Sequence, residues 1–349
     1  MGGRFDSRAQ GSGARFRSPV KKCIFLFFLP LLAFMPHVRY LRGAAQNPSD
    51  TPGEEVVANL AAGRVIVAVV KDAILIGTIE NPIEAQTHVP APVGMSGHRA
   101  GILLGAVDWF SPSTQLSLGR LDKELPHLRS RATNAGPHLE PSQSGAEAAD
   151  IEMIGQGLLE RLSVIAKNLH GRIELPANEP IAELVITGYA QGYGAEVWQL
   201  TYPLKQELER GDFWDTRVGL PAYLQFWPPE KGKPHTLLEF NYPPENPPAA
   251  LIDLLRQNDP RLQSIRTSDP KMAEVAEKLL RGESNKISST EATQFLRAAM
   301  SAVSPPKSRQ TFAVISEDSG FDWILPPPPE PKGPNPPKER EPEAPTLVH

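Results

Sequence analysis

From Val65 to Gly77 the chain reads Val-Ile-Val-Ala-Val-Val-Lys-Asp-Ala-Ile-Leu-Ile-Gly, two apolar runs around a single polar break at Lys71-Asp72. This pattern predicts a strand, a tight turn and a second strand. Neither run alternates with polar residues, so each strand must be covered on both faces. The fold class expected is therefore a layered α/β (α+β) arrangement rather than an open, one-sided sheet.

The same reading places the other elements. Arg99 to Val107 is a further apolar strand, and Ser113 to Leu128 reads as a helix with Leu116, Leu118, Leu121 and Leu125 toward one side. Ile151 to Leu169 repeats apolar residues at three- and four-residue steps, which gives a helix with one continuous buried stripe. Ala182 to Gly188 and Ala195 to Tyr202 form a second hairpin, its connection rich in glycine. Asn246-Pro-Pro opens a helix through Leu255, Asp269-Pro270 opens another that Gly282 stops, and Ser288-Ser-Thr-Glu291 is a capping box. Thr311 to Ile324 reads as a strand, a turn and a short return strand.

Two segments fall outside this scheme. Ser130 to Asp150 is rich in Ala, Gly, Pro and Ser without apolar periodicity and reads as a mobile internal loop. From Pro326 onward the tail holds ten prolines among Glu, Lys and Asn; it is expected to be disordered or polyproline II. The domain plan is a signal segment over residues 1–45, one domain over 46–325 and the Pro-rich tail over 326–349.

The N-terminus sets the compartment. Arg4, Arg8, Arg15, Arg17, Lys21 and Lys22 precede an apolar run from Cys23 to Met35, and Gly43-Ala-Ala45 offers small residues for cleavage before Gln46. The run is shorter than the roughly 20 residues a spanning helix needs, which favours a cleaved secretory signal and an exported, periplasmic or extracellular protein. The alternative is an uncleaved segment that anchors the chain in the membrane.

Cleavage would remove eight Lys or Arg and one Asp, taking the formal charge from −4 to −11. Such an acidic surface argues against nucleic acid as a partner. It would also remove Cys23, the one cysteine, leaving neither disulfides nor thiolate chemistry.

Candidate chemistry is sparse. Ser96-Gly-His98 places a hydroxyl near an imidazole but lacks a strand-turn-helix context, and the eight histidines form no metal-binding spacing. No catalytic residue, metal or cofactor is assigned. Phe213, Trp214, Tyr223, Phe226 and Trp227 cluster near Pro228-Pro229; of these Trp214, Tyr223, Phe226 and Trp227 are the candidate binding residues, for a protein partner of unknown identity. The competing reading is that they anchor their segment to the core.

The hairpin with its Lys71-Asp72 turn, the strand ending in Gly105-Ala-Val-Asp108, the Ile151 helix, the second hairpin and the last helix followed by Phe312-Ala-Val-Ile-Ser-Glu-Asp-Ser-Gly occur in an order that resembles proteasome-type subunits of the N-terminal-nucleophile hydrolase fold. Residues 203–265 depart from that pattern and read as a divergent insertion.

The resemblance implies a four-layer αββα sandwich of two stacked, mainly antiparallel sheets, with a nucleophile at the first residue of the first strand. In this chain that position is Gly63, which has no side chain to attack with; the supporting acid position is Ile79, beside Glu80, and the lysine position falls near Met95. The reading that follows is a non-catalytic interaction or scaffolding module on this fold. The alternative is an exported amide or ester hydrolase that uses other residues.

Overall fold

The computed structural model describes residues 57–81, 88–95, 98–111, 116–128, 145–168, 180–190, 194–209, 213–244 and 247–329. The signal segment, residues 130–144, Ser96-Gly97 and the tail from Glu330 lie outside them. In chain order the strands of the first part are β1 (Val57–Ala61), β2 (Gly63–Val69), β3 (Ile74–Glu80), β4 (Val93–Met95), β5 (Arg99–Ser111) and β6 (Leu116–Arg120). Two helices follow, α1 (Leu121–Glu124) and α2 (Gly145–Asn168). Then come β7 (Pro180–Ala190), β8 (Gly194–Glu209), β9 (Phe213–Val218), β10 (Ala222–Trp227) and β11 (Leu238–Tyr242). The last part is α3 (Leu251–Arg256), α4 (Pro260–Ser268), α5 (Pro270–Leu280), α6 (Ser289–Val303), β12 (Gln310–Ser316) and β13 (Gly320–Leu325).

The hairpin predicted around Lys71-Asp72 is β2–β3, paired from Gly63 opposite Glu80 to Val69 opposite Ile74. Its turn is closed by the Val70 amide donating to the Ala73 carbonyl at 2.9 Å, with Lys71 and Asp72 exposed. Every residue of both strands is buried. Alternate residues serve different cores: Val65, Val67, Ile74 and Ile76 enter one buried cluster, Ile66, Ala68 and Leu75 another. A period-2 element with apolar residues at all positions can do this and nothing else, since no polar row is left for water.

The protein is α+β, with two antiparallel sheets. One has eight strands in the order β1-β5-β7-β8-β10, with β4 and β6 added to β5 and β9 to β8; the other runs β11-β2-β3-β12-β13. The two predicted hairpins, β2–β3 and β7–β8, belong to different sheets. Three apolar clusters hold them. One joins Ile102, Leu104, Val185 and Val197 of the first sheet to Val65, Ile76, Phe240 and Ile315 of the second. Another packs Ile151, Ile154, Leu158 and Leu162 of α2 on Leu184, Ile186, Leu200 and Tyr202. The third packs α3 to α6 on β2, β3 and β12, around Phe295, Leu296 and Phe312.

The helix signals are realised locally. Asp269 accepts from the Lys271 amide at 2.8 Å to cap α5, and Gly282 stops that helix with φ +71°, a conformation that suits a residue without Cβ. Ser288 and Glu291 form the reciprocal capping box of α6. Asp72, from the β2–β3 turn, also accepts from the Ser289 amide at 2.7 Å, so the opening hairpin helps fix the helix that covers its sheet.

Several expectations need correction. Ser113 to Leu128 is not one helix: β6 pairs with β5 before α1 begins, because Leu116 and Leu118 alternate at period two with Ser117 and Gly119. Helix α2 begins at Gly145, so residues 145–150 leave the predicted loop; Ala146, Ala148 and Ala149 favour helix even without an apolar stripe. Helix α3 starts only at Leu251, since Pro247 and Pro248 cannot donate and bias the preceding residue away from helix. Residues 203–265, read as a divergent insertion, supply edge strands to both sheets, β10 on β8 and β11 on β2.

Candidate functional site

Gly63, the expected nucleophile position, lies at the start of β2, between Glu80 of β3 and Tyr242 of β11. It has no room for a side chain. A Cβ there would sit 2.3 Å from the Ile79 carbonyl oxygen and 2.9 Å from Cγ of Pro90. Pro90 is itself fixed from below: the buried Thr78 hydroxyl donates to its carbonyl at 2.6 Å and lies 2.7 Å from the Thr311 hydroxyl, which takes the donor role between the two threonines.

Glu80 is committed to Arg309. Its Oε2 accepts from the Arg309 Nε at 2.7 Å and from the Arg309 amide at 3.2 Å, while Nη2 donates to Oε1. This hydrogen-bonded carboxylate raises the Arg309 pKa. Next to Gly63, Arg64 donates through Nε and Nη2 to Glu239, whose Oε1 accepts from the Leu251 amide at 2.7 Å at the start of α3. Burial still outweighs these bonds and raises the Glu239 pKa. Met95, the expected lysine position, is buried in the α2-side cluster. Ser96 lies outside the described residues, and His98 is exposed with its carbonyl bound by the Tyr189 amide at 2.9 Å.

Two polar groups were not foreseen. Arg99 bridges Glu196 at 2.7 Å and Asp150, tying β5 and β8 to α2, and the Trp198 indole donates to Glu196 at 3.0 Å. Glu183 on β7 is buried and pairs with no cation among the described residues; it accepts from the side-chain amide of Gln199 at 3.1 Å, and burial pushes its pKa up to about 7. Nothing in a linear pattern marks such a residue, because its neighbours on β7 are apolar on both sides.

The predicted binding aromatics face mainly inward. Trp227 is buried in the cluster shared by the two sheets and meets the His235 ring edge-on at 4.9 Å; Phe226 meets Phe240 edge-to-face at 5.2 Å. Tyr223 packs partly buried on the α2-side cluster, where burial, then the charge of Glu152, pushes its phenol up to about 12. Trp214 lies on β9 opposite Leu208, but its side chain is outside the described residues. Phe226 and Trp227 thus both pack on the cluster shared by the two sheets.

A concavity appears elsewhere, between α6 and the strands β12 and β13. A groove of about 450 Å³ is lined by Met300, Phe312 and Leu325 together with Gln294, Arg297 and Gln310. A second hollow of about 350 Å³ shares Thr293 and Gln294 with it and continues to Ser289, Val314 and Ile324. Among the described residues, no acidic residue lines either. The signal for it was present in the polar face of the capping-box helix, where Thr290, Thr293, Gln294, Arg297 and Ser301 recur at helical spacing.

No family model and no curated protein matches the chain. Among the described residues, no helix is long and apolar enough to cross a membrane.

Proposed function

We propose that this is an exported, non-catalytic interaction or scaffolding module built on a four-layer αββα sandwich of the N-terminal-nucleophile type. The observation that carries the reading is the filled space at Gly63. An acyl-transfer nucleophile needs an oxygen or sulfur within hydrogen-bond reach of a base, whereas here the Ile79 carbonyl and Pro90 occupy the side-chain volume. The carboxylate beside it, Glu80, is held by Arg309 and has no free role as a base. The sandwich is supported by three apolar clusters, one shared by both sheets and one on each sheet with its helices. Export is supported by the basic segment and short apolar run ahead of Gln46.

Amide and ester substrate panels presented to the purified mature chain test the reading. No turnover is expected. Turnover that Ser96→Ala abolishes would replace it with the hydrolase alternative. N-terminal sequencing of the native protein tests export: a start near Gln46 is expected, and recovery of intact residues 1–45 in a membrane fraction would establish the anchored form.

A further inference from the structure

Glu183 is buried at a corner of the space between the two sheets. Its neighbours Val185 on β7 and Val197 on β8 belong to the cluster that the sheets share, so strand alternation turns Glu183, Gln199 and Thr201 to that same side. One row crosses the sheet there: Leu104 of β5, Glu183, Thr201 of β8 and Ala222 of β10 stand opposite one another in turn. Exposure grows along it, from buried Leu104 through half-buried Thr201 to exposed Ala222 on the outermost strand. The next row ends on Leu224, which is 53% exposed. The other sheet closes the corner with its own edge strand, β11. There the Tyr242 hydroxyl donates to the Pro180 carbonyl at 3.0 Å, and its ring lies 3.1 Å from where a Cβ on Gly105 would stand.

We propose that Glu183 is a pH-dependent latch on the sandwich: in its neutral form it lets β10 and β11 close over this corner, and in its ionised form it draws that corner open to water while the rest of both sheets stays folded. Among the described residues no charge answers it from this side. β11 offers Phe240 and Tyr242, β2 Val65, β5 Leu104 and β10 Leu224, of which only the Tyr242 phenol titrates. Arg64 and Glu239 pair on the helix-covered face of the other sheet, and Glu196 lies with Arg99 and Trp198 on the α2 side. Glu80 is held by Arg309. Lys205 and Arg217 are exposed further out along β8 and β9, with the Lys205 stem over Gly219. The hydrogen bond from the Gln199 side chain at 3.1 Å does not offset the cost of an ion here, and burial raises the carboxyl to about 7. Water is two strands away across Thr201 and Ala222, whereas on the other side the row runs into Leu104. Opening bares Phe240 and Tyr242 beside Leu224, so the apolar surface at this edge grows as pH rises. The device does not depend on whether the fold is catalytic.

Native-state amide exchange of the full chain in low urea, at pH 5 and pH 8, decides it. Once open, Glu183 returns to the ordinary range near 4.5, so opening is promoted as pH rises from about 5 through 7 and levels off above that. After correction for the intrinsic pH dependence of exchange, the opening equilibrium at β10 amides bonded to β8 and β11 amides bonded to β2 should be roughly fiftyfold larger at pH 8 than at pH 5. It should also respond to urea far less than the opening of β3 amides, which requires global unfolding. Glu183→Gln, which keeps the size of the side chain and its reach to Gln199, should make the edge openings equal at the two pH values. Edge openings that are equal at pH 5 and pH 8 in the unaltered protein would overturn the proposal, whatever the variant does. A rise carrying the full urea dependence of β3 would overturn it too, since the acid would then meet water only when the whole molecule unfolds. So would a rise that persists in Glu183→Gln.

Discussion

Glu80 and Glu183 are both carboxylates on buried strands, 4% and 5% exposed, yet their surroundings differ. Glu80 faces a guanidinium that meets both its oxygens; Glu183 faces one amide. The first is an ion pair that ties β3 to the residue just before β12, beside Gly63. The second is a buried acid whose pKa of about 7 makes it neutral over much of the acidic range. Equal burial thus gives a fixed tie in one place and a titrating group in the other. The partner, not the depth, decides which.

The largest effect is expected from breaking the tie. Arg309→Ala leaves the Glu80 carboxylate buried without its cation and should cost about 3 kcal/mol in urea unfolding. Adding Glu80→Gln should recover part of that loss, because the uncompensated charge is then gone. If the double variant is no better than Arg309→Ala, the charge on Glu80 is not what the arginine serves.

Glu183 should behave in the opposite sense. Its pKa is raised on folding, so its stabilising share is complete below the ordinary range near 4.5 and is lost as pH rises through about 7. Glu183→Gln should therefore change stability little at pH 4. At pH 8 it should add about 3 kcal/mol, since the rise from 4.5 to about 7 is weighed at ~1.4 kcal/mol per pKa unit. Thermal unfolding of both proteins from pH 4 to pH 8 checks this, and a constant difference across that range would mean that Glu183 stays charged or stays neutral throughout.

A third carboxylate sharpens the contrast at the surface. Glu291 sits in the capping box of α6, where the Ser288 hydroxyl and amide hold its pKa below the usual value. Ser288→Ala should cost only about 1 kcal/mol, the more so because Asp72 still accepts from the Ser289 amide. A loss of several kcal/mol in chemical denaturation would show that the box does more than cap.

The sequence disclosed those parts of the fold whose information is local. The β2–β3 hairpin, the α2 stripe, the Asp269 and Ser288 caps and the last hairpin each follow from residues within a few positions of one another. What was missed depends on distant partners. Strand β11 is short and unremarkable alone, and becomes a strand because Phe240 and Tyr242 reach the shared core beside β2. Helix α4 opens with Asp259-Pro260, the same signal as Asp269-Pro270, but its apolar stripe is thin, with only Leu262 buried. At the site, Gly63 was legible by counting along the hairpin, but the Pro90 ring that fills its space lies 27 residues further on. The Glu80–Arg309 pair spans 229 residues. Glu183 gave no warning, since burial of a polar residue is a property of the packed sheet.

The most direct test of the central claim is intact-mass spectrometry of the mature chain after exposure to electrophiles that acylate or phosphonylate activated hydroxyl groups. A filled position at Gly63 with no other activated nucleophile predicts an unchanged mass under conditions that fully label a hydrolase control. A single stoichiometric adduct, mapped to one residue and lost when that residue is replaced, would contradict it.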